Sequence, residues 1–171
     1  MTTQEKFAIF VVGPLNSGKS TTIRSLTGCP RCRTWNLRSL GGTPLRAFVI
    51  LSAPQEMGLS KYPPGRFPQA IEERYKVNRK DYDLLICPLE LNVNNPALFG
   101  YDRYVQTARN QGFDARIAVI ERQWNGTQVD VADVNAAQSF AQHNNIPFVR
   151  IDASNDPSTT ATNVRSNLYP T

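Results

Sequence analysis

The sequence has few residues that bind metals or form covalent cross-links. Its 171 residues include three cysteines and one histidine. An odd number of cysteines argues against a disulfide framework. Cys29 and Cys32 have C-x-x-C spacing, but a closed zinc site needs four ligands, and His143 is the one histidine available. We therefore interpret Cys29 and Cys32 as loop cysteines without a metal or redox role.

Long hydrophobic runs are also missing. No stretch approaches the roughly 18 apolar residues that a transmembrane helix needs. Residues 1–5 lack the basic start and apolar core of a signal peptide. Hydrophobic residues make up 40% of the chain and charged residues 19%, which is typical of globular proteins that fold in water. We expect one domain over residues 1–171, located in the cytoplasm.

Acidic residues are absent between Glu5 and Glu56. Residues 1–80 contain 13 lysines and arginines against 4 acidic residues, whereas residues 81–171 contain 6 against 10. A basic N-terminal half suits a polyphosphate ligand. The excess charge also fits a patch that faces an acidic partner, lipid headgroups or nucleic acid. A plain solvated basic face is an equally good interpretation.

The most informative motif reads G-x-x-x-x-G-K-S, the pattern of a phosphate-binding loop. An apolar run at residues 7–12 precedes it and a helical pattern at residues 19–27 follows it. Successive backbone N–H groups in such a loop converge on phosphate oxygens, and the helix start adds its dipole. Lys19 supplies a full charge for the terminal phosphates, and the Ser20 hydroxyl suits Mg²⁺. The residues predicted to contact phosphate or its metal ion are Gly13, Leu15, Asn16, Ser17, Gly18, Lys19, Ser20 and Thr21.

The pattern along the chain predicts a three-layer α/β domain of the P-loop NTPase type, with helices on both faces of a mostly parallel sheet. Residues 32–51 read as an antiparallel hairpin around Gly41 and Gly42. The other predicted strands are residues 7–12, 83–89, 115–120 and 146–151. The predicted helices are residues 19–27, 68–77 and 97–111, a helix that is capped by Asp130 or Asp133 and ends before Asn144, and a polar final helix from about residue 156.

At this level the chain resembles a Ras-like small GTPase, and its phosphate loop is most similar to those of bacterial and archaeal members. Ala53-Pro54-Gln55-Glu56 stands where that family carries D-T-A-G-Q-E, and Asp152-Ala153-Ser154 where it carries S-A-K. The resemblance implies GTP or GDP with Mg²⁺ as the ligands, and ATP remains open. It implies catalytic roles for Lys19 and Gln55, with Gln55 orienting water, and a place for Ala153 beside the base.

The chain departs from the family at several motifs. The aspartate that organises Mg²⁺ falls on Leu51, and the glycine that senses the γ-phosphate falls on Pro54, which has no N–H. Glu90 is a candidate replacement carboxylate, but we favour its interpretation as an acid on a surface loop. The guanine-reading N-K-x-D motif falls on Glu121-Arg122-Gln123-Trp124. Glu121, Arg122 and Trp124 are therefore the predicted base contacts, with Trp124 stacking on the ring.

Three functions fit these features. The first is a small GTPase-like switch with slow Mg²⁺-dependent NTP hydrolysis, whose loops 29–44 and 52–67 are read by a protein partner. The second is a pseudo-GTPase that serves as a scaffold with little or no hydrolysis. The third is a small ATP-dependent kinase that uses the same loop to hold its nucleotide.

Overall fold

The computed structural model describes residues 4–58, 61–92 and 99–171. These residues form one six-stranded sheet with five α-helices. The strands are β1 (Lys6–Gly13), β2 (Arg33–Arg38), β3 (Pro44–Val49), β4 (Leu84–Glu90), β5 (Phe113–Arg122) and β6 (Phe148–Asp152). The helices are α1 (Lys19–Thr27), α2 (Gln69–Tyr75), α3 (Tyr101–Asn110), α4 (Val131–His143) and α5 (Pro157–Leu168).

The strands lie in the order β2-β3-β4-β1-β5-β6. β2 pairs with β3 in antiparallel fashion, and every other neighbouring pair is parallel. The predicted three-layer α/β architecture is therefore confirmed, including the single antiparallel hairpin. The carboxyl end of β1 meets the carboxyl ends of β4 and β5, which is the edge where ligands bind in open α/β sheets.

The central strands form because their residues are apolar without alternation. Residues 8–12 of β1 have no exposed surface, and all seven residues of β4 are buried. A strand that is covered by helices on both faces needs this composition. Burial of these strands fixes the position of whatever follows them at the carboxyl edge.

Three boundaries differ from the sequence prediction. Helix α3 begins at Tyr101 and not at Ala97, because Gly100 is extended with φ −65° and ψ 157°. Residues 97 and 98 lie outside the described part of the chain. Strand β6 begins at Phe148 because Pro147 has no N–H to pair, although its carbonyl accepts from Ile117 N at 2.9 Å. Strand β5 extends to Arg122.

In the described part of the chain no helix combines the length and the apolar character needed to cross a membrane. The longest, α4, has 13 residues. It starts at an aspartate cap, since the Asp130 carboxylate accepts a hydrogen bond from Ala132 N.

Candidate functional site

The predicted phosphate loop connects the end of β1 to the start of α1. Glycine suits position 13 because a Cβ there would lie 2.5 Å from Ser17 Oγ and 3.1 Å from the Ile120 side chain, so both would have to move. Gly18 has a φ of +105°, which residues with side chains rarely adopt. Of the two glycines that define the motif, the first lies where there is little space for a Cβ, and the second has a backbone conformation that favours glycine. Ser17 Oγ is buried and has no hydrogen-bond partner among the residues that the structure describes.

The Lys19 ammonium group lies inside this turn. The side chain is only 5% exposed, and its Nζ donates to the carbonyl oxygens of Gly13 at 3.1 Å and Pro14 at 2.6 Å. Two carboxylates complete its surroundings, Glu90 at 3.1 Å and Glu56 at 3.8 Å. A buried cation needs such partners, and they hold the charge at the phosphate loop.

The interpretation of Glu90 as a surface-loop acid is wrong. Glu90 is the last residue of β4 and is 7% exposed. The parallel pairing of β1 with β4 places it opposite Gly13, so its carboxylate enters the phosphate loop. Burial and a hydrogen bond with the Glu56 carboxyl raise the pKa of Glu90 to about 7, against the opposing effect of the Lys19 charge.

The oxygen donors around the loop fit a magnesium ion. The Ser20 hydroxyl donates to the backbone carbonyl of Leu51, so the position that matches the family's aspartate offers a carbonyl and no carboxylate. Carboxylates close to the loop are those of Glu56 and Glu90, at 3.8 Å and 3.1 Å from Lys19 Nζ. Mg²⁺ usually takes one or two protein carboxylates together with phosphate oxygens and water. Among the described residues no group of three or more histidine, cysteine, aspartate or glutamate side chains could hold a metal ion. A magnesium ion here would therefore need further oxygen ligands from phosphate groups or water.

Gln55 contacts the backbone of Glu90. Its side chain is 5% exposed, its Oε1 accepts from Glu90 N at 3.3 Å, and its Nε2 donates to the Phe99 carbonyl at 3.3 Å. The amide therefore links the segment after β3 to the end of β4. Both ends of the predicted water-orienting group are engaged with the backbone.

The indole of Trp124 covers the other end of the loop. Its Nε1 donates to Asn16 O at 2.9 Å, and its backbone N donates to Ser17 O at 3.3 Å. The side chain is 62% exposed. Since the indole N–H already donates to Asn16 O, the face of the ring is the part of Trp124 that can contact a ligand.

The other predicted base contacts are arranged differently. Glu121 lies 3.7 Å from Arg150, and Arg122 lies 3.7 Å from Asp152. Ala153 is next to the loop, because a Cβ on Gly18 would be 3.3 Å from its methyl group. Glu121 and Arg122 thus direct their charges at β6 residues.

A cavity of about 530 Å³ lies at the loop. Its lining consists of Asn16, Ser17, Gly18, Lys19, Ser20, Thr21, Glu56 and Trp124. Most of the predicted phosphate contacts are therefore brought together with one predicted base contact. Leu15 is 61% exposed, and neither it nor Gly13 lines the cavity. Glu121, Arg122, Gln55 and Ala153 do not line it either.

From the sequence, Glu90 is a candidate carboxylate for which a surface loop is favoured, and Glu56 has no assigned role. For Glu90 a signal was available, because an acid that directly follows an apolar run ends a buried strand and lies at the ligand-binding edge. Glu56 directly follows Gln55 in the segment that was compared with D-T-A-G-Q-E, but no function was assigned to it.

No protein-family model matches this chain, and no curated protein sequence matches it. Solved structures do resemble it. One is the FeoB G-domain from Methanococcus jannaschii, with 14% identity, 88% of both chains covered and a TM-score of 0.45. Another is a bacterial selenocysteine-specific elongation factor, EF-Sec, with 13% identity, 95% of this chain and 28% of that chain covered, and a TM-score of 0.39. Similarity this low carries no functional argument, so the site is interpreted from its own geometry.

Proposed function

We propose that this protein binds a Mg²⁺–nucleoside triphosphate at the loop Gly13–Thr21 and hydrolyses it slowly, as a GTPase-like switch. The observation that carries the proposal is the buried ammonium of Lys19, held inside a glycine turn at the start of α1. A buried lysine is costly unless it has a partner. A turn that combines backbone N–H groups, a helix start and a cation is built for a polyanion.

Each residue of the site has a role in this proposal. Lys19 exchanges its contact with Glu90 for an oxygen of the terminal phosphates. Ser20 and Glu56, which line the cavity, together with Glu90 beside Lys19, would hold the metal. Mg²⁺ bound there would neutralise charge on the transferring phosphoryl group. Gln55 orients water from its position beside Glu90, once one of its two backbone contacts is released.

Base recognition relies on Trp124 in this proposal. Glu121 and Arg122 lie 3.7 Å from charged residues of β6, and neither lines the cavity at the loop, so we assign the base contact to Trp124, which does. The exposed ring face of Trp124 can stack on any base, because every base has a π-face. We therefore propose that guanine and adenine nucleotides bind with similar affinity, and that GTP or GDP is one ligand among several.

The switch part of the proposal concerns loops 29–44 and 52–67. The Ser20 hydroxyl contacts Leu51 O, and Leu51 N donates to Cys32 Sγ at 3.2 Å. A metal ion at Ser20 would use a lone pair of Oγ and leave the O–H to Leu51 O in place, so gain or loss of the ion would act through Leu51 on the connection between the two loops. A protein partner that contacts the loops would respond to this change.

A pseudo-GTPase scaffold is the second candidate, and one observation favours it. Lys19 has four oxygens within 4.0 Å, and Ser20 has a carbonyl partner. The polar groups of the loop are therefore largely satisfied by the chain itself. In a scaffold that no longer binds nucleotide, these contacts within the chain would stabilise the loop in place of the phosphate groups.

Phosphate release from Mg²⁺-GTP and Mg²⁺-ATP, without any acceptor, separates the two candidates. The proposal expects slow release that falls by about tenfold or more in Gln55→Ala, because the water loses its orienting group. Gln69→Ala, at an exposed glutamine on α2, is the matched control and keeps the parent rate. A rate equal to that of buffer, together with no nucleotide binding, would favour the scaffold.

A further inference from the structure

A second cavity, of about 950 Å³, lies away from the phosphate loop. It is enclosed by the start of β2, by Arg46 on β3 and by the carboxyl-terminal end of α2. It shares no lining residue with the phosphate-loop cavity. Its volume is within the range of small-molecule sites, about 300–1,000 Å³.

Positive charge dominates this cavity. Its lining contains four cations, Arg31, Arg33, Arg46 and Lys76, against the single carboxylate of Asp81. In the described part of the chain none of these four cations lies within 4.0 Å of a carboxylate. Like charges in a concave site repel one another and raise the local concentration of anions.

Three acidic residues that are close in sequence to the cavity residues form their contacts with other groups. Glu72 of α2 binds Arg79, and Glu73 binds Arg66 at 2.8 Å. The Asp83 carboxylate accepts from the backbone N of Arg46 at 3.1 Å. The cations of the cavity are therefore left without the neutralising partners that other arginines of this region have.

One of the guanidinium groups is held in place with most of its donors still available. Arg46 Nη2 donates to Thr34 Oγ1 at 3.2 Å, and both residues line the cavity. A guanidinium has five N–H donors, so this single contact leaves most of those of Arg46 for a ligand. Side chains that are ordered in advance lose less entropy when they bind.

The surroundings favour a compact ligand over a protein. The large hydrophobic residues exposed in the described part of the chain are Leu15, Leu40, Trp124 and Val131, and none of them lines this cavity. Protein interfaces rely on buried apolar or aromatic anchors at their centre. Phosphate groups need none, and the planar fork of arginine matches them bidentately.

We propose that this cavity is a second anion site, which binds a compact ligand carrying two or more phosphate groups. The ligand is either a free phosphorylated molecule or the headgroup of a phosphorylated lipid, since both present the same chemistry. The proposal does not depend on nucleotide binding at the phosphate loop, because the two cavities have no residue in common.

The test is calorimetric titration with inositol hexakisphosphate, a soluble and densely phosphorylated probe. Because the phosphate loop is also expected to take polyphosphates, the probe is titrated into Lys19→Ala, which isolates the second cavity and is expected to bind. Adding Arg33→Gln and Arg46→Gln to this variant is expected to weaken binding by about tenfold or more, because two charged phosphate contacts are lost. The matched control is Arg24→Gln with Arg103→Gln, which removes two exposed arginines outside the cavity and leaves binding unchanged.

Two further titrants define the ligand class. Phosphatidylcholine vesicles that contain phosphatidylinositol bisphosphate are compared with the soluble probe. Binding of either titrant that requires Arg33 and Arg46 supports the proposal. The titrant that binds more tightly shows whether the ligand is a free phosphorylated molecule or a lipid headgroup. A deca-glutamate peptide that binds more tightly than both would show that the site takes an acidic polypeptide, and would overturn the proposal. Full binding by the Arg33 and Arg46 variant, or its loss in Lys19→Ala, would also overturn it.

Discussion

Replacing Glu90 with glutamine should change how the stability of this protein depends on pH. Glu90 is buried at the end of β4, 3.1 Å from Lys19, and its pKa is raised to about 7 from the usual 4.5 by burial and by Glu56. A carboxyl whose pKa is higher in the folded state binds protons more tightly there. Its contribution to the free energy of unfolding is therefore present below the unfolded pKa and is lost as the pH rises through about 7.

The magnitude follows from this rise in pKa. Each pKa unit corresponds to about 1.4 kcal/mol, so Glu90 is expected to lower the free energy of unfolding by about 2 to 3 kcal/mol between about pH 5 and about pH 8. Glu90→Gln removes this slope while keeping an oxygen for Lys19. Urea unfolding of both proteins across this range measures it.

Glu73→Gln is the matched control for that experiment, because Glu73 is an exposed acid paired with Arg66. It should follow the parent curve at every pH. If Glu90→Gln also runs parallel to the parent, then Glu90 does not carry a raised pKa, and the arrangement of carboxylates around Lys19 is wrong.

The remaining predictions concern the loop, the base site and a helix cap. Gly13→Ala should lower the free energy of unfolding by about 1–3 kcal/mol, because the new methyl group meets the neighbouring serine hydroxyl at 2.5 Å; Gly65→Ala, with no atom nearby, should be neutral in the same urea titration. Trp124→Ala should weaken GTP and ATP equally, by about fivefold to 100-fold, and leave tripolyphosphate unaffected, whereas Trp35→Phe should leave all three affinities unchanged; a loss confined to one nucleotide would contradict stacking. Asp130→Ala should cost about 1 kcal/mol by removing a helix cap, and no change in the urea midpoint would disprove the cap.

The parts of the fold that could be predicted are those that neighbouring residues determine. The apolar runs of β1 and β4 predict buried strands. Asp130 and Asp133 were both candidate caps of α4, and the structure has the cap at Asp130. The start of α3 was misplaced because apolar spacing was given more weight than Gly100. Glycine is unfavourable inside a helix by about 1 kcal/mol, and in the structure it stands just before the first turn.

The functional site likewise has a part that neighbouring residues determine and a part that depends on residues far apart in sequence. The loop between β1 and α1 is contiguous, so its motif could be recognised from the sequence alone. Glu90 reaches Lys19 across 71 positions, and Trp124 reaches Asn16 across 108. The first contact depends on the register between β1 and β4, and the second on how the segment after β5 packs over the loop. Neither the register nor that packing is encoded in a local pattern.

The central claim is that Lys19 and the glycine turn hold a polyphosphate. Titration calorimetry with Mg²⁺-GTP, Mg²⁺-ATP and tripolyphosphate tests it most directly, on the protein, on Lys19→Ala and on the exposed control Lys61→Ala. We expect the protein and Lys61→Ala to bind all three titrants, and Lys19→Ala to bind each of them at least about tenfold more weakly, since a buried charge contact to phosphate contributes more than about 1.5 kcal/mol. Equal binding by Lys19→Ala, or no heat from the unaltered protein with any of the three, would contradict the account.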